Sequence, residues 1–505
     1  MKSRLIIAAM AISTFAGALP AVASSSNVAL NLPSLGDTER EDLSPLMERK
    51  LGERIMHDIQ RDPDYLDDAP LLEYLNNFGA ILLAARPEAR GEAGFDFFFF
   101  ALRDPVLNAF ALPGGFIAVH SGLVLAAQTE SELASVMAHE IGHVAQRHIA
   151  RMLGKQRQDA LIPLAGLLLA VLAARSSTDA SAALMVGGEG VAMQRQLNFS
   201  RDAEREADRV GLQIMRDAGF DTSGMIAFFG RLQTASRSYT EAVPAFLLTH
   251  PLTTERIADI EARIRGLHYK QRVDSVDFQL IRARLRILQD DSPQGLREAT
   301  VAFNNQLLQM NPGQTAAAKY GLALVALKQG ATDRARSLLQ EARVAVRAVP
   351  ASEPSKNAII PSLAIDIELA AKRPAEALKD ADIARARYPL SRGIARQYAD
   401  ALIAGGRYDD ATQYLRDQAQ LYRHEPQLQD LLAKTYAAQG KQALQHLSLA
   451  ESYALTGTLP AALEQLSIAR KSPDASFYDQ ALIDAREREW QARWREEEKE
   501  TKKER

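Results

Sequence analysis

The chain has 505 residues, 47% of them apolar and 24% charged, with a formal net charge of −3. That length exceeds what one compact core holds, and the near-balanced charge offers no basic patch with interleaved aromatics, so nucleic acid is excluded as a partner. Cysteine is absent, which rules out disulfides and a lipidated N-terminal cysteine as sources of stability or anchoring.

The N-terminus carries Lys2 and Arg4, an apolar stretch from Leu5 to Leu19, and then Ala21-Val22-Ala23 before three serines. This is the form of a secretory signal peptide over residues 1–23, with cleavage after Ala23 and a mature chain working in the periplasm or beyond. Residues 24–40 are polar and marked by Gly and Pro, as expected of a loose arm. From Ser44 to Asn76 the apolar residues recur at helical spacing through Leu46, Leu51, Ile55, Ile59 and Leu72. A different texture follows. Phe95–Ala101, Asn108–Leu112 and Phe116–Val119 read as short strands, the last two separated by the turn Pro113-Gly114-Gly115. A small sheet is therefore predicted ahead of the next helix.

That helix carries the chemistry. Thr129 with Glu132 three residues on has the form of a capping box, and Leu133, Val136, Met137 and Val144 keep an apolar stripe running through His139-Glu140-Ile141-Gly142-His143. Four-residue spacing puts His139 and His143 on one helical face, where two imidazoles can share a Zn²⁺. Glu140, turned by about 100°, is placed to act as general base on a water at the metal. Two histidines need a further protein ligand. In Arg201-Asp202-Ala203-Glu204-Arg205-Glu206-Ala207-Asp208, Glu204 and Asp208 share a face, and Ala207 and Gly211 are small enough for close packing on the first helix. Glu204 is assigned as third ligand and Asp208 as acceptor from the far nitrogen of a ligand histidine. Glu206 points elsewhere and is expected to pair with Arg209 on the surface. His148, five residues past His143, is expected to be structural, and His120 to lie next to the cleft.

Between the two ligand helices, residues 160–174 form an apolar stretch too short to span a membrane, read either as an interfacial hairpin making peripheral membrane contact or as a plain core helix. Ser176–Gly190 is small and Gly/Ser-rich, like a flap. Beyond Val273 strand signals vanish. Ala335, Ala377, Ala411 and Ala462 recur with Gly and Pro at turn-like positions, and Ala377 to Ala411 has tetratricopeptide spacing. Three or four such repeats are expected. The tail, residues 486–505, is dense in charge, with Trp490 and Trp494 docking its start.

Taken together, Asn108-Ala109-Phe110-Ala111-Leu112-Pro113-Gly114-Gly115, Gly122-Leu123, Glu132-Leu133, the His139–His143 motif and Glu204-Arg205-Glu206-Ala207-Asp208 resemble the gluzincin metallopeptidase family that includes HtpX and the CAAX prenyl protease. The resemblance covers about residues 40–270. With an export signal and repeats behind it, the chain is similar to that family's periplasmic BepA-like branch. The resemblance implies one Zn²⁺ per chain held by His139, His143 and Glu204, with Glu140 as catalytic base and Asp208 supporting. It also implies that His250 can serve as a regulatory fourth ligand, and that Phe116, Ile117, Ala118 and Val119 form an edge strand to which an extended substrate adds. Its implied substrates are unfolded or misassembled outer-membrane proteins, with the barrel-assembly machinery engaged through the repeats.

The expected fold class is α+β: a mostly helical zincin-type metalloprotease domain with a small β-sheet over residues 41–272, followed by an all-α tetratricopeptide-repeat solenoid over 273–485. The expected function is a periplasmic zinc endopeptidase acting on misfolded or stalled outer-membrane β-barrel proteins. The alternative is a chaperone-like adaptor acting mainly through its repeats, with the protease latent.

Overall fold

The computed structural model describes residues 43–154, 201–238, 245–266, 272–309, 311–349 and 355–503. The stretches read from the sequence as signal peptide (1–23), arm (24–40), apolar segment (160–174) and flap (176–190) lie outside the described residues. Among the described residues no helix is long and apolar enough to cross a membrane.

The helical stretch expected from Ser44 to Asn76 is two helices, α1 (Pro45–Gln60) and α2 (Ala69–Ala85). The chain breaks between them because Asp62 turns back on itself, its Oδ1 accepting from Asp64 N at 2.8 Å around Pro63. Both helices start on side-chain caps, Ser44 accepting from Met47 N and Asp68 from Leu71 N, each with proline in the first turn.

Three strands follow: β1 (Phe98–Leu102), β2 (Ala109–Leu112) and β3 (Phe116–His120). The β2–β3 hairpin turns at Gly114 and Gly115, whose φ values of 77° and 94° suit residues without a Cβ. Strand order is β1-β3-β2, with β3 parallel to β1 (Phe98 opposite Phe116) and antiparallel to β2 (Ala109 opposite Val119). This corrects one expectation. Phe116–Val119 is the central strand, hydrogen-bonded on both sides and buried throughout, so it cannot accept a substrate strand; the edge beside the hairpin is β2. The other edge, β1, is covered by α2, where Asn76 brackets Phe99 by donating to its carbonyl at 2.7 Å and accepting from its N–H at 3.1 Å.

Below the sheet runs α4 (Glu130–Ala145), reached through the short α3 (Ser121–Ala126). Thr129 caps it by accepting from Glu132 N, while the Glu132 carboxylate reaches Gln128 N at 2.7 Å. Every residue from Glu130 to Val144 is buried, so this is an internal helix. After α5 (His148–Gly154), helix α6 (Arg201–Asp217) lies across α4 at close range. A Cβ added at Gly142 would sit 2.9 Å from Ala207 O, and one at Gly211 would sit 3.1 Å from His139 N. The small residues set the interhelical distance. The domain closes with α7 (Ser223–Ser238), α8 (Ala245–Thr249) and α9 (Thr254–Ile264).

From Val276 onward the described chain is all helix, in antiparallel pairs beginning with α10 (Val276–Gln289) and α11 (Pro293–Leu307). The later first helices start at Ile359, Arg392, Pro426 and Leu459, thirty-three or thirty-four residues apart. The last described helix, Phe477–Lys503, buries Trp490 in a cluster with Leu447 and Leu466, whereas Trp494 stays 37% exposed. The first pairs do not form a separate bead, whereas the later ones pack in clusters of their own. One hydrophobic core runs from Leu71 and Phe99 through Ile141 and Phe278 to Leu363.

Candidate metal centre

Helix α4 presents His139 and His143 inward one turn apart, and α6 returns Glu204 to the same point. The Nε2 atoms of the two histidines are 3.0 Å apart. Glu204 faces both, with Oε2 3.5 Å from His139 Nε2 and Oε1 3.4 Å from His143 Nε2. His250, just past α8, adds a fourth donor: its Nδ1 lies 2.9 Å from Glu204 Oε1 and 3.4 Å from His139 Nε2. One donor atom from each of these four residues falls within 4.8 Å of all the others. Phe246 of α8 stacks on the His250 ring at 4.6 Å between centroids and fixes its plane.

These four residues, Glu140, Asp208 and Arg256 are each no more than 2% exposed. Dry surroundings make the charges consequential. Burial is the largest influence on His139 and opposes its protonation, but hydrogen bonds and charge from Asp208 and Glu204 outweigh it and hold the ring up to about 10. Burial wins at His143, which sits well below the usual histidine range. At Glu204 burial is outweighed by His250, His139 and His143, which keep the carboxyl well below its ordinary value. Glu140 is raised, chiefly by burial, with His250 and His139 pulling the other way.

The donor set suits a divalent transition metal. Nitrogens from imidazoles and one carboxylate oxygen are the ligands that zinc takes, in the number a tetrahedral ion needs. The environment points the same way, since both Glu140 oxygens are buried without a hydrogen-bond partner of ordinary geometry. A buried carboxylate in that state stands ready for a water.

Of the residues singled out from the sequence, His139, Glu140, His143, Glu204, Asp208 and His250 are brought together. Asp208 Oδ1 lies 3.0 Å from His139 Nδ1, behind the ring. His120 does not join them; it is buried at the end of β3, 3.1 Å from Asp104. Glu206 departs from expectation, because it faces His148 Nε2 at 3.0 Å and Arg151 at 2.9 Å, while Arg209 lies 3.7 Å from Asp259 instead. Two further residues escaped sequence reasoning. Arg256 of α9 donates to both Asp208 oxygens at 2.7 and 2.8 Å and brings Nη1 to 2.8 Å from Glu204 Oε2, tying the two carboxylates together. The other is Ala111 of β2, whose backbone faces Glu140. No local pattern announces Arg256; the only signal is that two buried acids on one helix face require a cation somewhere.

A buried helix bearing two histidines and a glutamate, crossed by a second helix that returns a carboxylate, is the architecture of the glutamate-type HExxH metallopeptidases. Sequence comparison narrows the class: residues 83–264 match Peptidase family M48. The chain is 32% identical to the "Beta-barrel assembly-enhancing protease" of Escherichia coli (strain K12) over 489 residues, 96% of each chain. It is 31% identical to the protein of that name from Yersinia pestis over 455 residues, 90% of each. A shorter match, 36% over 160 residues, links 32% of this chain to 44% of the "Mitochondrial metalloendopeptidase OMA1" of Schizosaccharomyces pombe. This chain belongs to peptidase family M48 and is a metalloendopeptidase.

Proposed function

We propose that the chain is a periplasmic zinc endopeptidase that clips misfolded or stalled outer-membrane β-barrel proteins and assists their assembly. The observation that carries the reading is the convergence of His139, His143, Glu204 and His250 beside the buried carboxylate of Glu140, whose Oε1 lies 3.6 Å from His250 Nε2. Likeness over nearly the whole length to proteins named as assembly-enhancing proteases supports the client class. In this reading residues 1–23 are removed on export, 41–272 form the protease, and 273–485 are tetratricopeptide repeats that dock on the barrel-assembly machinery. The spacing of the helix pairs at 359, 392, 426 and 459 supports that assignment.

His139, His143 and Glu204 would hold the zinc. When bound, the ion supplies Lewis acidity for the scissile carbonyl and for water. Glu140 then takes the water proton and passes it to the leaving amine nitrogen, work that suits a carboxylate whose buried setting raises its pKa. Asp208 holds the His139 ring from behind, and Arg256 pairs with Asp208 and Glu204 and helps keep Asp208 ionised. The substrate strand adds to β2, whose outer edge pairs with no strand among the described residues and which packs on α4 beside Glu140.

His250 gives the second reading its footing. As a fourth donor in line with the other three it occupies the position that catalysis needs open, so the enzyme is latent until the segment after α8 moves and the repeats act meanwhile as an adaptor. Two substitutions separate the readings on an unfolded barrel protein. Glu140→Gln is expected to abolish cleavage while leaving about one zinc per chain, and retained cleavage overturns the protease assignment. His250→Ala is expected to raise cleavage several-fold, on the order of 10-fold or less given a switch worth roughly 1 kcal/mol; loss of zinc would make His250 an obligatory ligand instead.

A further inference from the structure

His148 stands five residues past His143, which on an unbroken helix would turn it about 140° away. The helix breaks. α4 ends at Ala145, Arg147 adopts a left-handed φ of 50°, and α5 restarts at His148. Such a backbone costs a residue with a Cβ roughly 1 kcal/mol or more. Contacts of the Arg147 side chain offset it, since its guanidinium donates to Glu48 Oε2 at 3.0 Å and to Leu43 O at 2.7 Å.

The break folds His148 back over the ligand. Its Nδ1 lies 2.9 Å from His143 Nδ1, and the ring centroids are 4.9 Å apart. Its other nitrogen, Nε2, lies 3.0 Å from Glu206 Oε2, which Arg151 also holds at 2.9 Å. His148 itself is buried. The proton assignments then follow one from another. His143 Nε2 points at His139 and Glu204, so a metal there requires that nitrogen to be bare and the proton to sit on His143 Nδ1. Two facing nitrogens share one proton, so His148 Nδ1 is the acceptor. Its own proton is on Nε2, where Glu206 accepts it.

We propose that His148 is a positioning residue for the metal centre, the middle of a relay from Glu206 through His148 to His143 that fixes the tautomer and plane of that ligand. The proposal rests on the zinc reading above. The two histidines of the motif are thus supported differently: His139 by Asp208 directly, His143 by a carboxylate one imidazole removed.

The test is zinc affinity, measured on the full chain by competition with a chromophoric chelator, with circular dichroism as the check on folding. His148→Phe keeps the ring and removes both nitrogens, and is expected to weaken zinc binding ~10–100-fold. His148→Gln returns an acceptor to His143 and is expected to stay within ~3-fold of the parent. Glu206→Ala, at a half-exposed position, is expected to weaken binding ~3–10-fold. A folded His148→Phe or Glu206→Ala protein that binds zinc as tightly as the parent overturns the relay, as does a glutamine variant no better than the phenylalanine one. Should His148→Phe fail to fold, the other two variants decide. A parent chain that binds no zinc would instead sink the metal assignment beneath it.

Discussion

Three carboxylates (Glu140, Glu204 and Asp208) and three histidines share one dry cluster, and Arg256 is the cation paired with two of those carboxylates, Asp208 and Glu204. Replacing it leaves Asp208 and Glu204 buried and partly uncompensated, a defect worth about 3–5 kcal/mol when one partner of a buried ionic group is removed. Arg256→Met is therefore expected to lower the thermal midpoint of the zinc-free protein by several degrees, and saturating zinc is expected to recover part of that loss. Equal losses with and without zinc would separate Arg256 from the centre. The motif histidines and Glu204 were legible in the sequence because i,i+4 spacing alone puts them on shared faces. Arg256 and His148 were not, since one reaches the site from a distant helix and the other depends on a backbone reversal at Arg147, an arginine no turn rule would single out.

At the scale of elements, the distance between α4 and α6 decides whether His139 and His143 can meet Glu204. Gly142 faces the Ala207 backbone too closely to admit a Cβ, and Gly211 faces His139 with only a few tenths of an ångström to give. Gly142→Val is expected to cost ~1–3 kcal/mol of stability by overpacking. It should also weaken zinc binding, because prising the helices apart moves Glu204 away from both imidazoles. Chelator competition on the folded variant checks this; unchanged affinity would mean the helices are not what sets the ligand distance. The sheet teaches the opposite lesson about legibility. All three strands were visible as apolar runs, but their order was not, because a parallel β1–β3 pairing leaves β3 as apolar as any edge strand packed on a helix.

Asp277, in the first turn of α10, shows burial overriding a helix terminus. Its carboxylate accepts from Asn357 Nδ2 at 2.7 Å and from Ser355 Oγ, yet burial raises its pKa above the ordinary 3.8. A raised acid binds its proton more tightly when folded, so this group's contribution is present at low pH and is lost as pH rises through the raised value. Asp277→Asn should flatten the stability profile in that window just above 3.8, measured as the difference in urea midpoint between variant and parent across pH. A parallel pair of profiles would refute it.

Across the whole molecule, the acidic start of α2 is gripped by repeats far apart in sequence. Asp68 accepts from Arg284 at 2.7 and 2.6 Å, Glu73 from Ser391 Oγ at 2.8 Å and Gly393 N at 2.9 Å, and Asp67 from Gln427 at 2.8 Å. Glu130, the first residue of α4, is tied to Ser275, which caps α10. With a common core beneath these contacts, the protease and the first repeats are expected to melt in one calorimetric transition. Asp68→Ala, which strands the buried Arg284, is expected to lower it by about 3–5 kcal/mol. Two transitions in the parent would show that the halves fold independently. The helical hairpins were legible from Ala, Gly and Pro spacing, but the shared core was not, because a solenoid pattern says only which neighbours stack.

That grip on α2 bears on how such a chain can evolve. Solenoids ordinarily gain and lose units by tandem duplication, each copy adding a small rotation without consequence for the others. Here Asp68 and Asp67 meet Arg284 and Gln427 from the same short turn. An extra unit duplicated anywhere between those two positions would swing the later pairs off the protease, so repeat number in this stretch is locked by a surface outside the array.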